Sequence, residues 1–160
     1  MDTTKKTIIL FSGDFDKAMA AFIIANGAAA MGDQVTIFFT FWGLNLLRKP
    51  KKVKAPGKKT LLQAMFGKMM PRGPAHLPLS KMNFWGMGTP LMKVVMKSAN
   101  AMTLEQLMES AREQGVKLIA CTLSMDILGF KKEELLDGIE YAGVAAYLGE
   151  ADEANVNLFI

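Results

Sequence analysis

Among residue types that do covalent chemistry, this chain of 160 residues offers one cysteine, Cys121, and one histidine, His76. A thiolate is a strong nucleophile and can accept and pass on a group. A single cysteine excludes an intramolecular disulfide, a Cys-x-x-Cys redox pair and a thiolate-rich zinc site. A single histidine counts against a His-based metal centre or a Ser-His-Asp triad, so neither a metal nor a cofactor is expected. His76 lies in "PRGPAHLPLS", a proline-rich loop, and reads as a surface residue without a role. Attention therefore falls on "KLIACTLSMDILGF", Lys117 to Phe130, where an apolar run ends at the thiol and a polar, glycine-ended turn follows.

The elements around the thiol give this position its meaning. "VKLIACT", Val116 to Thr122, reads as a buried strand, and Cys121 falls at its carboxyl end. Ligands and reacting groups collect at that edge of open parallel sheets. "TLSMD" then starts a turn or helix whose backbone N–H groups could point back at the sulfur and stabilise a thiolate. Thr122 and Ser124 add hydroxyl donors, and Asp126 is expected to cap or turn outward. The plain structural reading also stands, because free cysteine is among the most buried residue types and often acts as a small hydrophobe. Ser12, Gly13 and Asp14 end an earlier strand and should reach the same sheet edge. They read as a helix cap and turn, or as a wall of a sulfur pocket.

Alternating strands and helices build the frame. "KTIILFS", Lys6 to Ser12, and "QVTIFFTF", Gln34 to Phe41, are buried strands joined by a helix from about Phe15 to Met31, which "MGDQ" stops. The nearly uncharged run Ala18 to Gly32 is too short to span a membrane and reads as a buried core helix. "TLEQLMESAREQG" has a cap at Thr103 and helical apolar spacing at Leu104, Leu107, Met108 and Ala111. "KKEELLDG" reads as a short polar helix, "GVAAYLGEADEAN" as the last helix and "VNLFI" as the last strand. The pattern predicts one α/β domain over residues 1–160 with a mainly parallel sheet.

Residues 44–98 depart from this pattern and read as a long insertion. They hold all six prolines and seven of the thirteen methionines, with short helices expected at "KTLLQAMFGKMM" and "TPLMKVVMKS". "MNFWGMG", with Phe41 and Trp42, is expected either as ordinary core or as a lid over the thiol. The methionines suit a partner surface, a subunit interface or core filling. No acidic residue occurs between Asp33 and Glu105, an interval with twelve Lys and Arg. Seven of these cations crowd into "RKPKKVKAPGKK", Arg48 to Lys59. That run reads as a solvated, mobile loop, or as a landing strip for an acidic partner or an anionic membrane. Without interleaved aromatics it does not read as a nucleic-acid site. The short apolar run at the N-terminus is no signal peptide, and the lone reduced thiol suits the cytoplasm.

Several long stretches carry a resemblance. "GVKLIACTLSMDILGFKKEELLDGIEYAGVAAYLGEA" resembles the C-terminal signature of the DsrE/DsrF/DsrH-like sulfur-handling family. "SGDFDKAMAAFIIANGAAAMG", "TIFFTFWGLNLLRK" and "MFGKMMPRGPAHLPLSKMNFWGMGTPLMKVVMK" are similar to the DsrE subgroup often labelled peroxiredoxin-like. The resemblance implies a flavodoxin-like α/β fold with helices on both faces. It implies a cysteine, mapped onto Cys121, that carries sulfur as a persulfide in trade with TusA-like carriers and rhodaneses, and assembly as trimers or hexamers. A peroxidase cycle needs a resolving thiol that this chain lacks. The other functional class left open is a non-catalytic binding or scaffold subunit with an inert Cys121. No Gly-x-Gly-x-x-Gly or Walker pattern supports a nucleotide.

Overall fold

The structure is a computed structural model that describes residues 4–160. Five strands form one sheet: β1 (Lys5–Leu10), β2 (Gln34–Phe39), β3 (Lys117–Cys121), β4 (Glu140–Ala142) and β5 (Val156–Phe159). Their order is β4-β3-β2-β1-β5, and every pairing is parallel. The first three crossovers step one strand at a time in one direction. The last returns across the whole sheet to the far side of β1, so the winding reverses between β1 and β5.

Strand alternation sorts the helices onto two faces. Ile8, Leu10, Ile37, Phe39, Leu118 and Ala120 pack in the main core with the buried sides of α1 (Phe15–Ala30), α4 (Leu104–Glu113) and α5 (Thr122–Leu128). Phe38, Ile119 and Cys121 face the other way, against Tyr147 of α6 (Val144–Asp152). Helix α4 starts as the sequence predicts. The Thr103 hydroxyl accepts the Gln106 N–H, Gln106 reaches back to the Thr103 N–H, and Leu104, Leu107, Met108 and Ala111 are buried. Such a box is worth about 1 kcal/mol.

Four expectations need correction. Helix α1 is not buried all round. Phe15, Ala18, Phe22 and Ala25 face the core while Ile23 and Ile24 are exposed, because only one side of the helix meets the sheet. "KKEELLDG" forms only a 3-10 turn, Lys132–Glu134, and the three-residue β4 that follows is too short for any periodicity to reveal. In the loop at 82–87, Met82, Phe84, Trp85 and Met87 are exposed and fill no core. The basic run is not uniformly solvated either. Arg48 is fully buried, Lys49 pairs with Asp137 at 3.1 Å, and Lys59 pairs with buried Glu134 at 2.5 Å.

The insertion contains α2 (Leu61–Met69) and α3 (Gly88–Ser98), both close to their predicted positions. It enters the main core through Leu44, Leu46 and Leu47 at its start and through Leu77 and Leu79 between the two helices. Arg48 anchors it. The guanidinium donates to the carbonyls of Gly67, Met70 and Pro71 at the end of α2, and its carbon lies 4.6 Å from the centre of the Phe130 ring. No described helix is long and apolar enough to cross a membrane.

Candidate functional site

Cys121 is the last residue of β3 and the cap residue of α5, and it is 2% exposed. Its sulfur makes no cap hydrogen bond to the helix, contrary to the expectation of amides aimed at it. The reason is alternation along β3. Cys121 shares a face with Ile119, towards α6, whereas α5 packs through Met125 into the core on the opposite face. The thiol therefore lies in a small apolar cluster with Phe38, Ile119 and Tyr147, and the ring centroids of Phe38 and Tyr147 are 4.9 Å apart. Sequence reasoning did not single out Phe38 or Tyr147. The only available signal was an aromatic residue in an otherwise alanine-rich last helix.

The hydroxyls expected near the sulfur have other partners. Ser124 Oγ lies 2.7 Å from Thr40 Oγ1 at the end of β2, and Thr122 Oγ1 donates to the Ala142 carbonyl of β4 at 3.4 Å. Together they tie the strand-to-helix junction to both neighbouring strands. Asp126 is exposed, and its carbonyl accepts from Gln63 of α2. Between α6 and the sheet, Tyr147 Oη lies 3.2 Å from Thr7 Oγ1, and Glu150 accepts from Thr36 at 2.9 Å and Lys117 at 2.8 Å. The Lys117 hydrogen bond holds the Glu150 carboxyl below its ordinary range and raises the lysine. This polar seam fastens α6 over the thiol cluster.

Ser12 and Asp14 lie at the same sheet edge but in a different place. Strand β2 separates β1 from β3, and the carboxyl ends of β1 and β5 open instead into a cavity of about 910 Å³. Ser12, Asp14, Lys17 and Asn45 supply its polar lining, and Phe11, Trp42, Phe66, Met69 and Phe159 much of its apolar lining; Cys121 does not line it. Ser12 Oγ donates to Asp14 at 2.8 Å, and Lys17 pairs with the same carboxylate at 3.0 Å. The wall that carries Trp42 depends on Gly43. There a Cβ would sit 2.0 Å from the Leu10 carbonyl oxygen, so no larger residue lets the chain cross the end of β1. The exposed aromatic loop at 82–87 is not part of the packing around Cys121.

Comparison with known proteins bears on the family and the fold. Over 99% of this chain and 98% of its own length, the Bacillus subtilis protein YrkE is 63% identical. The sulfur carrier protein DsrE2 of Allochromatium vinosum is 38% identical, with both chains fully covered. Among solved structures, the Escherichia coli ychN protein superposes with a TM-score of 0.55 over 99% of this chain and all of its own, at 12% identity, which supports the fold alone. The model of the DsrE/DsrF/DrsH-like family matches residues 2–159, so the chain belongs to that family.

Proposed function

We propose that the protein is a sulfur carrier that accepts sulfane sulfur on Cys121 and relays it to partner thiols. Full-length identity of 38% to a protein named as a sulfur carrier is the observation that carries this reading. The Cys121 thiolate attacks the terminal sulfur of a donor persulfide, R–S–S⁻. A new S–S bond forms on Cys121 as the donor's S–S bond breaks, and the donor leaves as a thiolate that takes up a proton. No net oxidation occurs, and the reverse attack by an acceptor thiolate completes the relay. A second cysteine on the chain would expel the outer sulfur and close a disulfide, and this chain has none.

In this reading residues 1–160 act as one α/β domain, with 44–98 as an insertion, in a reducing compartment such as the cytoplasm. Thr122 and Ser124 hold the Cys121 junction rigid through Ala142 and Thr40. TusA-like carriers and rhodaneses are the proposed partners, and a trimer or hexamer is the proposed assembly. The exposed cations Lys51, Lys52, Lys54 and Lys58 would speed encounter with an acidic partner. Peripheral contact with an anionic membrane is the other use of the same charge, and binding of phosphatidylserine vesicles would reveal it.

Intact-mass measurement after incubation with polysulfide, or with a persulfidated rhodanese, tests the proposal. The chain should gain the mass of added sulfur atoms, and Cys121→Ser should gain none; equal loading of the two would overturn it. Burial of the thiol favours the second reading, a scaffold with an inert Cys121. In that case iodoacetamide would modify Cys121 only after unfolding.

A further inference from the structure

The cavity at the carboxyl ends of β1 and β5 remains unused by the relay. It opens where the winding of the sheet reverses, between β1 and β5, and that crevice is where open α/β sheets bind ligands. Its volume of about 910 Å³ falls within the range of small-molecule sites. Three observations define the occupant. The rings of Phe11 and Phe159 stack at 5.8 Å and, with Trp42 and Phe66, give the cavity an aromatic lining. Its charged side chains offset each other, because the Asp14 carboxylate is matched by Lys17. Asn45 lines it at 2% exposure, and its amide oxygen is buried with no hydrogen-bond partner among the described residues. A buried acceptor left without a partner is unfavourable, and a ligand donor would satisfy it.

We propose that this cavity binds an uncharged, largely aromatic small molecule that donates one hydrogen bond to Asn45, at a site separate from Cys121. The fluorescent probe 1-aminoanthracene, a neutral ring system with an N–H donor, tests it on the full chain. Saturable binding at one probe per chain with a blue-shifted emission is expected. 1-Naphthol should displace the probe at lower concentration than 1-methoxynaphthalene, which has the same body and no donor. Asn45→Leu should weaken 1-naphthol about tenfold and abolish its advantage over the ether. Met69→Glu, at a 73% exposed position on the cavity wall and so no threat to folding, should weaken every aromatic competitor. Cys121→Ser should bind as the parent chain does.

The proposal is overturned if the parent chain shows no saturable uptake, or if a folded Asn45→Leu keeps the preference for 1-naphthol. It is also overturned if Met69→Glu binds normally, or if Cys121→Ser loses the probe. Uptake that falls as light scattering reports assembly would mean that a second copy fills the cavity, and it overturns the proposal as well. Sulfur loading is measured independently, so failure of either reading leaves the other standing.

Discussion

At the scale of single residues, Cys121 and Arg48 are both buried for opposite reasons. The thiol packs in one cluster with Tyr147 of α6, so lifting of α6 is the expected route by which a reagent reaches it. Tyr147→Ala should therefore speed iodoacetamide modification of folded protein at constant pH. Opening made easier by about 1.4 kcal/mol gives about a tenfold faster reaction. An unchanged rate would mean that the sulfur is reached by another route. Arg48 instead satisfies three backbone carbonyls and covers Phe130. Burial, with the charge of Arg72 nearby, lowers its pKa to about 10, so it stays charged at neutral pH. Arg48→Met keeps much of the volume but strands those carbonyls and should cost about 2–5 kcal/mol in urea denaturation. A loss below about 1 kcal/mol would show that the end of α2 rehydrates freely.

At the scale of elements, one ion pair ties the insertion to the turn after α5 and another ties α6 to β3. Burial alone would raise Glu134, but the Lys59 ammonium and the Lys131 N–H together hold its carboxyl below the ordinary range. A depressed carboxyl contributes stability above its unfolded value and loses it as pH falls through the folded one. Glu134→Gln should thus flatten the acid side of the stability profile measured by denaturant titration, and a profile parallel to that of the parent would refute the pairing. Replacing Lys51, Lys52, Lys54 and Lys58 by Ser should leave thermal stability nearly unchanged, because exposed charges contribute little. Lys59→Ser is different. It leaves a buried carboxylate unpaired and should cost about 1–3 kcal/mol. The Glu150–Lys117 bond acts with the same sign on α6. Acidification through the depressed Glu150 value should loosen that helix, seen as faster amide exchange in residues 144–152 before the rest of the sheet exchanges.

At the scale of the whole molecule, the insertion presents more apolar surface than a lone chain comfortably exposes. Leu61, Leu62 and Met69 of α2 and Leu91, Val94 and Val95 of α3 are all more than half exposed. The loop between these helices holds Met82, Phe84 and Trp85 at positive φ, a costly backbone for such side chains, and Trp85 is fully exposed. Patches of this kind mark interaction surfaces. Light scattering should give a multiple of the 17.5 kDa chain mass at micromolar concentration. Trp85→Ala should weaken assembly without lowering the stability of the folded chain. A parent chain that stays monomeric would remove the expectation.

The sequence by itself determined the alternation of strands and helices, the cap at Thr103, the helices inside the insertion and the single thiol at a strand end. These are short-range properties, written in apolar periodicity, capping residues and composition. Its long motifs also carried the family resemblance that the family match confirms. Only the tertiary structure decided which way that thiol faces and what covers it, because a strand's two sides become distinct only once particular helices are assigned to each. Strand order likewise separated Ser12 and Asp14 from Cys121: residues at one sheet edge are brought together or kept apart by which strands lie between them. The burial of Arg48 was hidden for the same reason. Its partners are carbonyls 19 to 23 residues away, and a run of cations looks alike in sequence whether its members meet water or the end of a helix.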